Sequence, residues 1–196
     1  MASSLLRVPS LKLLAVLALA PALALTACSR PKEQPVAPPA EAAGTVWLNG
    51  GVVLYMPDNI MKARIKIEDL SPYMKSVDEA AKAVVEAQEG QKGASGMLLV
   101  AMRPQGQSKA WVVTGEPQMD QRVADAMVTA AEAVPAPTVI EETVLVGIKF
   151  HAFGGGTAPV SAGPPIPIGW YSHFSQHGGL LDDALLEKVW PKEVAQ

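Results

Sequence analysis

A chain of 196 residues has room for one ordinary domain plus tails, and 49% hydrophobic against 18% charged residues supports a packed core and excludes wholesale disorder. Lys and Arg total 16 against 19 Asp and Glu, a net charge of −3 without a basic cluster, which argues against a nucleic-acid partner held through phosphate contacts. A single cysteine excludes an intramolecular disulfide.

Residues 1–12 carry two positive charges, Arg7 and Lys12, and no acid, and residues 13–25 read LLAVLALAPALAL. That apolar run is shorter than the roughly 20 residues of a membrane span and is interrupted by Pro21, so the pattern is that of a secretory signal peptide. The segment Leu25-Thr26-Ala27-Cys28 resembles the lipobox of bacterial membrane lipoproteins. The resemblance implies diacylglycerol on the Cys28 thiol, cleavage in front of it, and acylation (a palmitate-type chain) of the new amine. Two or three acyl chains hold a protein on a bilayer where one does not. In lipoproteins of that kind a serine after the cysteine, the place of Ser29 here, implies sorting to the outer membrane rather than retention at the inner one. The expected organisation is therefore a signal peptide over 1–27 and a Pro-rich tether over 28–44, where Pro31, Pro35, Pro38 and Pro39 interrupt an aperiodic stretch. At about 3.1 Å per residue the run from Arg30 to Gly44 reaches roughly 45 Å from the lipid. Loss of Arg7 and Lys12 with the leader leaves 14 basic against 19 acidic residues, net −5.

An α+β domain is expected over 45–153. Val46 to Leu48 and Val52 to Met56 flank Asn49-Gly50-Gly51, which predicts an N-terminal hairpin. Arg64 to Glu68 alternates polar and apolar residues as a strand does. Ser76 with Glu79 matches a capping box, opening a helix with Val77, Ala80, Ala81, Val84 and Ala87 on one face, Lys82 and Glu86 spaced to pair, and Gly90 at its end. Met97 to Met102 is apolar throughout, as in a buried strand, and Pro104-Gln105-Gly106-Gln107 turns it back into Lys109 to Thr114. Pro117 suits the first turn of a second helix, whose stripe is Met119, Val123, Ala126, Met127, Ala130 and Val134, and Pro135 and Pro137 stop it. Thr143 to Phe153 alternates over its whole length: Val144, Val146, Ile148, Phe150 and Ala152 face one way, Leu145, Gly147, Lys149, His151 and Phe153 the other.

This order predicts a two-layer sandwich, an antiparallel sheet with two helices on one face, as a ferredoxin-like split β-α-β unit with an extra N-terminal hairpin. Residues 96–153, with the Pro104-Gln105-Gly106 turn, are also similar in topology to the C-terminal domain of TonB-type envelope proteins. They depart from that family at Thr114-Gly115-Glu116-Pro117, and no site residue is carried over.

Residues 154–196 form a Gly/Pro-rich loop, an aromatic segment and a C-terminal helix expected to pack on the same domain. Trp170, Tyr171 and Phe174 are three of the chain's ten aromatics within five residues. Such rings are favoured anchors at binding surfaces, which makes them candidate partner contacts. If packed instead, they close the open sheet face over Leu145 and Phe153. The last helix, Leu181 to Trp190, has Leu181, Leu185 and Val189 at helical spacing.

His173 and His177 stand four apart, a ligand spacing on a helix, and His151 could join them if the tail folds back. No Cys, His-x-x-His or His-Glu pairing accompanies them, so no metal or other cofactor is expected. Nucleophilic catalysis finds no Gly-x-Ser-x-Gly turn, and Cys28 is assigned to lipid. The favoured function is a lipid-anchored, periplasm-facing binding or assembly module without catalysis, whose partners are the membrane through Cys28 and an envelope protein. Two alternatives stand beside it: an immunity-type or inhibitor lipoprotein that blocks a partner with an exposed edge or acidic face, and a small metal-dependent periplasmic enzyme.

Overall fold

The computed structural model describes residues 45–159, 163–176 and 181–192. The expected leader, Cys28, Ser29, the tether to residue 44, and His177 lie outside the described residues. Four strands, β1 (Trp47–Leu54), β2 (Ala94–Arg103), β3 (Gln107–Thr114) and β4 (Val144–Ala152), form one antiparallel sheet in the order β1-β4-β2-β3. Between them run the helices α1 (Asp58–Arg64), α2 (Ile67–Glu86) and α3 (Gln121–Glu132), followed after β4 by α4 (Tyr171–Gln176) and α5 (Asp183–Val189). The α+β class holds. The split β-α-β order also holds along the chain, but the second and fourth strands are central here, whereas a ferredoxin-like sheet centres its first and third. Among the described residues no helix is long and apolar enough to cross a membrane.

The expected N-terminal hairpin is instead a single bulged strand. Asn49 pairs with Phe150 and Val52 with Ile148, so Gly50 and Gly51 together stand opposite Lys149. Gly51 takes φ +104°, and its N–H donates to Asn49 Oδ1 at 2.6 Å. The Asn-Gly-Gly signal therefore marks a bend within a strand, because the long β4 offers a partner to residues on both sides of it.

The strand expected at Arg64 to Glu68 is also corrected. Arg64 ends α1, Ile65 and Lys66 are an extended link, and Ile67 opens α2. Ile65 is fully buried while Ile67 is largely exposed, so the two isoleucines do not share a face. The helix begins nine residues before Ser76 and carries Pro72 in its second turn, where the Glu68 carbonyl loses its donor. Its buried stripe, Leu70, Tyr73, Met74, Val77, Ala81 and Val85, runs upstream through the apparent cap. Val84 is half-buried and Ala87 exposed, while Lys82 and Glu86 pair at 3.6 Å. The second helix starts at Gln121 rather than Pro117, with Asp120 Oδ1 accepting from Arg122 N–H at its N-cap.

The helices α2 and α3 cover one sheet face. Val123, Met127 and Ala131 of α3 are buried, and the Trp47 ring stacks on Phe150 at 5.2 Å while its Nε1 donates to Asp78 of α2. By register, Val144, Val146, Ile148 and Phe150 of β4 and Gly96, Leu98, Val100 and Met102 of β2 look toward these helices. The opposite face, with Ser95, Met97, Leu99, Ala101 and Arg103 of β2 and Leu145, Gly147 and His151 of β4, is covered by the chain that follows β4, called the strap below. The α+β sandwich therefore stands, with two helices on one face of the sheet and the strap lying against the other.

Candidate functional site

The strap lies so close to the sheet that two glycines are required. A Cβ on Gly93 would sit 2.0 Å from the Gly155 carbonyl oxygen, and one on Gly115 2.0 Å from that of Thr157. Thr157 N–H donates to the Glu116 carbonyl at 2.8 Å, and Tyr55 OH donates to the Pro165 carbonyl at 2.5 Å. Burial of the Tyr55 hydroxyl, with Tyr171 nearby, pushes its pKa well above the ordinary value. Further along, Arg64 grips Asp183 through both guanidinium nitrogens at 2.7 and 2.6 Å and donates to the Thr143 carbonyl at 2.8 Å. The hydrogen bond to Asp183 raises the Arg64 pKa further. Buried Arg103 donates to Thr143 Oγ1, to Glu187 and to the Trp190 carbonyl, and its guanidinium lies over the Trp190 ring at 4.0 Å. These bonds fix α5 and bury Leu185 and Leu186.

Beneath the first turn of the strap, Ser95 and His151 form a buried polar network. Ser95 Oγ lies 2.7 Å from His151 Nδ1, 2.6 Å from the Gly156 carbonyl oxygen and 2.8 Å from the Gly156 nitrogen. Both side chains line a cavity of about 280 Å³ between the sheet and the strap. Its walls are largely apolar: Val53 and Met97 below, and Pro159, Pro164 and Pro165 above, with Lys149 also lining it. Burial first, and the positive charge of Lys149 second, push the His151 pKa below its ordinary value.

The sequence-predicted site residues separate. His151 is 5% exposed and bonded to Ser95. His173 stands on α4, a helix the glycine-flanked sequence did not promise, and its buried Nδ1 has no hydrogen-bond partner among the described residues. Among the described residues no group of three or more His, Cys, Asp or Glu side chains could hold a metal ion. Trp170 is 4% exposed, with its ring edge-on to Trp111 at 4.9 Å. It packs on Trp111, on the strap side of the sheet, where Leu145 and Phe153 were the expected partners. Tyr171 is 42% exposed and meets half-buried Phe174 edge-on at 6.5 Å. Of the three rings, Tyr171 alone offers much free surface.

A second surface went unread in the sequence. The strand β1 is a sheet edge, and Tyr55 N–H donates to the Leu145 carbonyl. Alternation from that bond turns the backbone groups of Val53 toward Gly147 and leaves those of Val52 and Leu54 pointing away from the sheet. The side chains of Val52 and Leu54 are 49% and 43% exposed, and Ile67 at the start of α2 is 44% exposed. A groove of about 330 Å³ runs between β1 and α2, floored by Leu70 and Met74 and rimmed by Asn49, Val52, Ile67 and Lys75. Its sequence signal was the apolar side chains on both arms of the Asn-Gly-Gly bend, hidden while the bend was read as a turn.

Comparison with known protein families, with curated proteins and with solved structures finds no match to this chain.

Proposed function

We propose that this chain is a lipid-anchored cell-envelope lipoprotein that works as a non-enzymatic binding or assembly module and engages an envelope protein at the open edge of β1. The carrying observation is that outward backbone N–H and C=O groups at Val52 and Leu54 adjoin an apolar groove against α2. An extended segment added to such an edge gains main-chain hydrogen bonds, and its alternate side chains enter the groove and supply selectivity. The lipobox-like Leu25–Cys28 segment and the Pro-rich tether support the anchoring half of the proposal, because they would present this edge within reach of envelope proteins.

The partner half is tested in cells with a photo-crosslinking residue at Val52 and, for comparison, at exposed Gln121 of α3. One envelope protein crosslinked from position 52 but not from 121, and lost when Leu54→Asp is added, is the expected result. Crosslinks that are absent, or indifferent to Leu54→Asp, overturn the edge as the binding surface. For the anchor, Cys28→Ala is expected to leave an unprocessed or soluble protein; normal cleavage with undiminished membrane retention refutes lipidation.

A further inference from the structure

The Ser95–His151–Gly156 network fixes where each proton sits. A serine hydroxyl has one proton, and here its oxygen has three close partners. The Gly156 N–H can only donate to it. The Gly156 carbonyl can only accept, and two oxygens 2.6 Å apart require a proton between them, so the Ser95 hydroxyl donates to Gly156. His151 Nδ1 must then carry a proton and donate to Ser95 Oγ at 2.7 Å. The neutral ring is therefore the Nδ1–H tautomer, and its Nε2 holds a lone pair. This arrangement excludes Ser95 as a nucleophile activated by His151, since the histidine gives a proton to the serine and cannot take one.

Among the described residues the ring has no hydrogen bond at Nε2 beside the Nδ1 contact to Ser95, and Nε2 is not a fully buried orphan: it keeps access to the space that the imidazole lines. An accessible lone pair on an imidazole nitrogen accepts a hydrogen bond from a hydroxyl that enters beside it. The imidazole lines a cavity whose other walls are mostly hydrocarbon, and an apolar cavity of roughly 150 Å³ is known to take a benzene ring. At about 280 Å³ this one has space for a ring with substituents.

We propose that the cavity beneath the strap binds a small, neutral, largely apolar molecule carrying one hydroxyl group, which donates its proton to His151 Nε2. Val53, Met97 and the prolines of the strap enclose the apolar body, and Ser95 holds the imidazole in the accepting tautomer. The reduced basicity of His151 keeps the ring an acceptor at neutral pH. A carboxylate would bring no proton to Nε2, which leaves Lys149 as its only cationic contact among the lining residues. The site is separate from the β1 edge, so the two stand or fall independently.

The test compares p-cresol, toluene and p-toluate by titration into the full chain, with the imidazole nitrogens followed by NMR. In the free protein, Nδ1 of His151 should give a pyrrole-type signal and Nε2 a pyridine-type one, and p-cresol should move the Nε2 signal. The cresol should bind about tenfold more tightly than toluene, the scale of one buried hydrogen bond, and more tightly than p-toluate. His151→Asn, which keeps a donor near the Nδ1 position, should abolish the preference for cresol while toluene binding persists. Equal affinity for cresol and toluene, a pyridine-type Nδ1, or no saturable binding of any probe overturns the proposal. Tightest binding of p-toluate overturns it in favour of an anion site at Lys149. Each of these readouts on the unsubstituted protein stands even if the variant fails to fold.

Discussion

The two faces of the sheet are covered by different means. On one side, α2 and α3 lay apolar stripes at helical spacing onto Leu98, Val100, Val146 and Ile148, so the hydrophobic effect spread over many residues does the holding. On the other, an irregular strap is pinned at a few places: Gly156 to Ser95, Pro165 to Tyr55, Asp183 to Arg64, and Glu187 with Trp190 to Arg103. Trp170 on Trp111 and the buried Leu185 and Leu186 add apolar area between the pins. Distributed burial gives a layer that leaves only when the whole domain unfolds. Discrete pins permit local release, which suits the layer that roofs a cavity.

That difference can be broken from either side. Met127 is fully buried in the α3 stripe, and Met127→Ala should cost on the order of 2–5 kcal/mol of global stability, seen as one cooperative shift in denaturant unfolding. A loss below about 0.5 kcal/mol would mean that the helical layer is not held by its stripe. Arg103→Ala removes the bonds to Thr143, Glu187 and Trp190 together with the stacking on the Trp190 ring. The expected loss is smaller, about 1–3 kcal/mol, and local. Amide hydrogen exchange should quicken in Asp183–Val189 while the amides of α2 and α3 keep their protection. Uniform quickening across the domain would mean that the strap and helices unfold as one unit, and the contrast would fail.

Legibility follows the same division. The stripe of α3 repeats every three or four residues, β4 alternates at every second one, and β2 is a continuous apolar run turned back into β3 at Pro104-Gln105-Gly106, so these elements were readable with errors of a few residues at their ends. Two local signals misled. The Asn49-Gly50-Gly51 run has the chemistry of a tight turn, but a bulge uses the same residues, and only the pairing with β4 distinguishes them. The Ser76 and Glu79 pair has the spacing of a cap, while Pro72 hid the start of the helix upstream. On the strap side, Ser95 and His151 are 56 residues apart, and nothing in either neighbourhood announces the other. The glycines at 93 and 115 carried a trace of the strap's close approach, but a glycine that admits a carbonyl looks in sequence like any loop glycine. Trp170 was visible as an aromatic; whether it packs or binds depended on Trp111, 59 positions earlier.

The finest test of the contrast is protonic. The strap side carries a buried titratable group, His151, whose pKa is pushed below its ordinary value by burial and by Lys149. As pH falls through about 6.5, the ordinary value for the unfolded chain, the unfolded state takes up a proton that the folded state still refuses. Stability from this group is therefore constant above that pH, declines below it, and levels off under the lower folded pKa. The decline is expected to be small, because imidazolium keeps its Nδ1–H bond to Ser95 and what changes is the added charge beside an apolar cavity. His151→Asn retains a donor for Ser95 and removes the titration. Comparing unfolding free energies at pH 7.5 and about pH 5, the native chain should lose more than the variant, and the surplus should appear in the exchange of the strap amides. An identical loss in both proteins would place His151 outside the pH response and leave the strap pinned by Ser95 and Gly156 without regard to the charge on the ring.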